Sequence, residues 1–208
     1  MPAGQFDADK AQDLASQKQQ KRRELSLARQ QLHPSQRESF NNAIKEHLAV
    51  LVKNLGATKL AAYCADQQEP GGEELVTALF NLGITLWLPV SRPHGILEWG
   101  QYTHPDSLRP GALGILEPQG PYKHSHDILP TLDLIVVPAL GATPEGIRIG
   151  KGAGYYDRAL EDSRTPTVAL LFDSEIDPAI PHEAHDARID FIITPQEPAP
   201  ANKQSNRA

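Results

Sequence analysis

Apolar residues recur every three or four positions through Phe40, Ile44, Leu48 and Leu51, and from residue 59 onward this spacing gives way to short continuous apolar runs. The first pattern is the stripe of an amphipathic helix and predicts one over residues 35–54, entered after Pro34 and stopped near Gly56. Ser35 and Glu38 have the spacing of a capping box at its start. Upstream, residues 11–31 are rich in helix formers but offer only Leu14, Leu25 and Leu27, followed by Leu32, as apolar positions. They predict a long, mostly exposed, cationic helix.

The later runs read as strands. Residues 59–64, 84–90, 132–138, 165–172 and 189–194 suit buried strands, and 95–102 suits a shorter antiparallel one. Helices are predicted over 73–82 and after Gly154, and residues 105–130, dense in Pro and Gly, form a long connection of the kind that covers ligands. This alternation implies an α/β fold, a three-layer open, mainly parallel sheet with helices on both faces, preceded by the long basic N-terminal helix. Residues 1–9 and 196–208 are polar or rich in Pro, Asn and Gln, and are expected to be flexible tails around a single domain over 10–195.

Composition narrows the function classes. A formal charge of -6 argues against a general nucleic-acid binder, so any cationic site must be local. The single cysteine, Cys64, excludes an internal disulfide and a Cys-rich zinc site, which fits a reducing compartment. The first residues lack a secretory pattern, and no apolar stretch is long enough to span a bilayer. The expectation is a cytoplasmic monomer with no membrane or nucleic-acid partner.

Residues 148–157, Arg-Ile-Gly-Lys-Gly-Ala-Gly-Tyr-Tyr-Asp, concentrate the candidate chemistry between a predicted strand and a predicted helix. Gly150, Gly152 and Gly154 alternate, so several backbone N–H groups can turn toward one anion with no side chain in the way. The order is neither that of a P-loop nor that of a dinucleotide-binding fingerprint. Glycines alone fit a flexible connector equally well. Arg148, Lys151 and Asp157 beside them favour a nucleotide phosphate and its metal.

The stretch Asp133-Leu134-Ile135-Val136-Val137-Pro138-Ala139-Leu140, then Gly146, then residues 148–158, resembles the signature of the 5-formyltetrahydrofolate cyclo-ligase family, also called methenyltetrahydrofolate synthetases. The resemblance extends from about Lys18 to Pro195 through Lys18 and Arg22 on the basic helix, Glu69 after the first strand, and His185-Asp186 before the strand that carries Asp190. It implies an ATP- and Mg²⁺-dependent cyclisation of 5-formyltetrahydrofolate to 5,10-methenyltetrahydrofolate, with release of ADP and phosphate. The formyl oxygen would take the γ-phosphoryl group and N10 would then close the ring, chemistry that rests on alignment and charge neutralisation rather than on a protein nucleophile.

The resemblance also implies roles. ATP as co-substrate would be held by Lys18, Arg22, Arg148, Ile149, Gly150, Lys151, Gly152, Ala153, Gly154, Tyr155 and Tyr156, with Arg148 and Lys151 acting in catalysis. Cys64, Glu69 and Tyr155 would bind the folate, and Asp157 and Asp190 the Mg²⁺ ion. Plainer readings stand beside these. Lys18 and Arg22 suit a solvated helix face, Asp157 a helix N-terminus, Glu69 an exposed loop, and Trp99 core packing rather than stacking on a pterin. Asp190, in an apolar strand, needs a partner, for which Arg188 is the nearest candidate. His185 and Asp186 suit the organisation of a turn. Two other functions share these features: a divergent relative acting on another phosphorylated metabolite, and a nucleotide- or folate-binding regulator without catalysis.

Overall fold

The computed structural model describes residues 3–111, 114–183, 186, 188–196 and 198–200. Helix α1 spans Ala3–Gln31 and α2 spans Pro34–Leu55. The first helix therefore begins eight residues before the expected start, and backbone expected as a tail is helical. Pro34 occupies the first turn of α2, where its missing N–H is not needed. The N-cap is thus His33, whose Nδ1 accepts from the Ser35 N–H, in place of the predicted Ser35–Glu38 box. Gly56, at φ +61°, stops the helix in the left-handed conformation, and Arg37 donates to the Arg29 and Leu32 carbonyls to close the corner between the two helices.

Strand β1 (Lys59–Ala61) leads through α3 (Leu75–Phe80) to β2 (Thr85–Arg92), which turns back antiparallel into β3 (Ile96–Tyr102). The stretch 105–130, read as a long connection, holds a hairpin of β4 (Leu108–Pro110) and β5 (Leu116–Pro118), an edge strand β6 (Tyr122–His124) and the short helix α4 (Ser125–Ile128). Then come β7 (Leu134–Val137), a small hairpin of β8 (Gly141–Ala142) and β9 (Arg148–Ile149), α5 (Tyr155–Leu160), β10 (Thr167–Leu170), β11 (Phe191–Ile193) and β12 (Pro198–Pro200). The last of these pairs antiparallel with β11 inside the segment expected to be a tail.

Among the described residues, eight strands form one sheet in the order β12-β11-β10-β7-β1-β2-β3-β6, of which the five from β11 to β2 run parallel. Period-two alternation divides each buried strand between two cores. Leu134, Val136, Val168 and Leu170 face α2 and α3, meeting Ile44, Leu48, Leu75 and Leu79. Ile135, Val137 and Ala169 face the opposite layer with Ile128, Leu129 and the α5 side chains. The three-layer arrangement follows, because a strand apolar on both faces must be covered on both.

Chain direction sets where a ligand can enter. From β1 the chain moves outward to β2, whereas β7 lies on the other side of β1 and leads outward to β10 and β11. The connections leaving β1 and β7 diverge and open a crevice at the carboxyl ends of these strands, the switch point where open α/β sheets bind ligands.

Candidate active site

A cleft fills that crevice. It is lined by Tyr63, Cys64 and Glu69 after β1, by Pro138 and Ala139 after β7, and by Arg148 and the run from Gly150 to Asp157. Pro89, Ser91, Leu97, Ile115 and Glu117 close the side toward β2, β3 and the β4–β5 hairpin. Gly152, at φ +96°, and Gly154, at φ +72°, give the loop its turns. A Cβ on Gly152 would sit 3.2 Å from Arg22 Cζ, so a bare glycine lets the guanidinium lie directly against the loop.

Arg22 reaches the loop from α1 and donates from Nε to the Gly150 carbonyl at 2.9 Å. It is therefore docked, not solvated. The same holds along one face of α1: Lys18 Nζ lies 2.8 Å from Asp186 and 3.7 Å from Glu183, and Lys21 Nζ lies 2.6 Å from Asp177. Leu25 packs with Leu140, Ile149 and Ile180. At the end of this face, Arg29 forms a fork with Glu175 at 2.5 and 2.9 Å and donates to the Ala139 carbonyl at 2.7 Å. Burial raises the pKa of the Glu175 carboxyl, and the Arg29 guanidinium and the Phe172 N–H offset that rise in part.

The cleft carries two cations and three carboxylates. Arg148 pairs with Asp157 and also contacts the Pro138 carbonyl. Lys151 Nζ lies 2.8 Å from Glu69 Oε1 and 3.7 Å from Asp66. Glu69 is buried, and its other oxygen accepts the Asp66 N–H at 3.0 Å, which fixes the carboxylate in the wall. Glu117 accepts the Ser91 N–H at 2.8 Å. Burial, reinforced by Glu117, pushes the Cys64 thiol up to about 12, so this sulfur is a neutral packing group and not a nucleophile.

The two tyrosines divide their work. Tyr155 donates its hydroxyl to the Arg92 carbonyl at 3.2 Å, and Tyr156 packs edge-on against Trp99. The Tyr156 hydroxyl is sealed from solvent without a hydrogen-bond partner among the described residues, and burial raises its pKa, so it stays neutral. Trp99 is itself fully buried and donates to Ser125, which makes it core and removes it as a stacking platform.

Not every expected residue joins the cleft. Ile149 is buried in β9 against α1, and the Lys18 ammonium is held by Asp186 and Glu183. Asp190 stands before β11, at the amino ends of the parallel strands. Its Oδ2 accepts the Thr167 N–H at 2.8 Å and the Thr167 hydroxyl at 3.0 Å, so it is tied to the far rim and cannot share a metal with Asp157. Asp186 accepts the Glu183 N–H, as suits a turn organiser, and His185 lies outside the described residues. Pro138 and Ala139 were predictable from the rim rule, whereas Tyr63, Ser91, Ile115 and Glu117 carried no signal in spacing or composition.

An open α/β sheet with a cation-flanked glycine loop at its switch point has the arrangement in which such folds receive an anionic ligand. The model of the 5-formyltetrahydrofolate cyclo-ligase family matches residues 14–195, and the chain belongs to that family. It is similar to the 5-formyltetrahydrofolate cyclo-ligase of Mycolicibacterium smegmatis, with 33% identity over 86% of this chain and 94% of that protein. The Escherichia coli K12 enzyme of the same name is 27% identical over 81% of this chain and 95% of its own length. Among solved structures, 5,10-methenyltetrahydrofolate synthetase from Aquifex aeolicus superposes with a TM-score of 0.75 at 25% identity, covering 92% of this chain and 96% of the other. The Mycoplasma pneumoniae synthetase gives 0.68 at 16% identity, covering 86% and 98%, and shares the fold. Among the described residues no helix is long and apolar enough to cross a membrane.

Proposed function

We propose that this cleft carries out the ATP-dependent cyclisation of 5-formyltetrahydrofolate to 5,10-methenyltetrahydrofolate, with ADP and phosphate as the other products. The observation that carries the reading is the convergence of Arg148, Lys151 and the Arg22-supported glycine loop on one side of a cleft whose other wall presents the fixed Glu69. Phosphate oxygens suit the first wall, and the N–H edge of a pterin suits the second.

The formyl oxygen attacks the γ-phosphorus, the bond to ADP breaks, and the carbon acquires a phosphate leaving group. N10 then bonds to that carbon, phosphate departs, and the N10 proton is lost to solvent. Arg148 and Lys151 neutralise charge on the phosphoryl oxygens, and the loop N–H groups hold the chain of phosphates in line. Cys64 and Tyr155 shape the apolar side of the cleft, where exclusion of water protects the activated carbon from hydrolysis.

Mg²⁺ commonly takes one or two carboxylates and completes its shell with phosphate oxygens and water. Asp157 fits that mode: it lines the cleft, stands 68% exposed and belongs to no cluster of three metal-ligating side chains among the described residues. The ion would spread the negative charge of the phosphates. The enzyme is expected to act as a monomer. The reading is tested by following methenyltetrahydrofolate absorbance from 5-formyltetrahydrofolate with ATP and Mg²⁺, and with each omitted in turn. Product formation that does not depend on ATP, or no product at all, overturns it.

A further inference from the structure

Both cations lining the cleft hold carboxylates, but the two pairs differ in which partner can move. In one, Arg148 has a side chain only 7% exposed and Asp157 is the outward group. In the other, Glu69 is fixed by the Asp66 N–H, with a side chain 10% exposed, while Lys151 sits 58% exposed at the end of a flexible stem. Any exchange at this second pair is therefore a movement of the lysine.

Lys151 serves two claims that oppose each other. A phosphate group entering the glycine loop offers its ammonium several charged oxygens in place of one carboxylate. A pterin entering against Glu69 needs the same Oε1 that Lys151 contacts at 2.8 Å. While the lysine stays on Glu69, folate must displace a charged donor from a buried acceptor. Once the lysine turns to phosphate, Glu69 is a fixed, buried carboxylate without its close cation, and N–H donors from the pterin restore what it lost.

We propose that Lys151 is a positioning residue shared between the two subsites, so that nucleotide binding transfers Glu69 to the folate and the two ligands bind with positive coupling. The inference rests on the assignment of nucleotide and folate to this cleft. Arg148 pairs with Asp157, whose side chain is 68% exposed, whereas the contact with Glu69 Oε1 is made by Lys151, so the exchange is assigned to the lysine. Coupling of this kind is reciprocal: the factor by which nucleotide tightens folate equals the factor by which folate tightens nucleotide.

Calorimetric titration of the full chain separates the inference from the reading beneath it. The probes are 5-formyltetrahydrofolate and the non-hydrolysable nucleotide AMP-PNP with Mg²⁺, each alone and each in the presence of the other at saturation. The expected result is about tenfold tighter folate binding with AMP-PNP present, and the same factor in reverse. In Lys151→Met, folate alone should bind about tenfold tighter than to the unsubstituted enzyme, and AMP-PNP raised to saturation should no longer change its affinity. Lys151→Arg should restore the coupling. Binding of neither probe overturns the assignment of the cleft and the inference with it. Binding of both without coupling, or weaker binding of folate alone to Lys151→Met, overturns the inference and leaves the assignment standing.

Discussion

Two groups of cations face the carboxyl end of the sheet, and they are held in opposite ways. On α1, Arg29 meets Glu175 with side chains 4% and 2% exposed, and each partner makes a further hydrogen bond, Arg29 to the Ala139 carbonyl and Glu175 from the Phe172 N–H. In the glycine loop, Lys151 and Arg148 hold carboxylates through pairs in which one member is more than half exposed. The buried fork can only be broken at the expense of an uncompensated charge, so it fixes a helix in place. The exposed pairs contribute little to stability and can exchange partners, which is what a site for charged ligands requires. One kind of ion pair builds the wall and the other forms the working surface.

The sharpest way to break this contrast is Arg29→Met. It leaves Glu175 buried without its cation and should destabilise the fold by about 3–5 kcal/mol, read from urea denaturation. The loss should depend on pH in a stated direction. Burial holds the folded-state pKa of Glu175 above its unfolded value, more so without Arg29, so the deficit is full above that folded pKa and shrinks as pH falls through it. A deficit that grows on acidification would show that the carboxylate finds another cation. The double substitution Arg29→Met with Glu175→Leu should recover most of the stability, because apolar pairs replace buried ion pairs well.

Asp157→Ala addresses the exposed group. Turnover should fall by about 100-fold, the order expected for loss of a charge-organising group, while stability changes by no more than about 0.5 kcal/mol. Titration of the residual activity with Mg²⁺ should show a weakened dependence. An unchanged Mg²⁺ dependence removes Asp157 from the metal and leaves it as the partner of Arg148 alone.

The two groups also differ in how far the sequence reveals them. The glycine loop is local: its glycines, cations, tyrosines and carboxylate lie within ten consecutive residues, and strand β7 is plain because it is apolar throughout, as β10 is from Val168 onward. The docking of α1 is not local. Lys18 and Asp186 stand 168 positions apart and Arg29 and Glu175 stand 146 apart, so helical periodicity holds no trace of the pairing and a solvated face is its natural reading. Asp190 shows the same limit. A carboxylate in an apolar strand does need a partner, but only the register of β10 against β11 identifies Thr167. The β4–β5 hairpin escaped because three-residue strands are too short to display a period. His33 as the cap of α2 was within reach, since Pro34 in the first turn places the cap one residue earlier.

Gly152→Ala tests the junction between the two groups, where α1 touches the loop. At φ +96°, with a new Cβ 3.2 Å from Arg22 Cζ, alanine must both strain the backbone and push the guanidinium away. The KM for ATP should rise about tenfold and stability should fall by about 1 kcal/mol. An unchanged KM with the same stability loss would mean that Arg22 supports the loop without shaping its nucleotide-binding form.

The smallest effect on catalysis is expected at Asp190, and it distinguishes the two ends of the sheet. Its carboxylate closes the amino-terminal rim by accepting the Thr167 N–H and hydroxyl, on the opposite side from the cleft. Asp190→Ala should therefore cost about 1–2 kcal/mol of stability through the stranded Thr167 donors. Below the unfolding temperature, its kcat, its KM for ATP and its Mg²⁺ dependence should match those of the unsubstituted enzyme. A loss of Mg²⁺ affinity at full folded population would require the two carboxylates to meet, which the parallel order of β7, β10 and β11 forbids without re-pairing the sheet. The carboxylate's distance from the chemistry is thus set by strand direction, and a kinetic measurement on a folded variant reads that direction out.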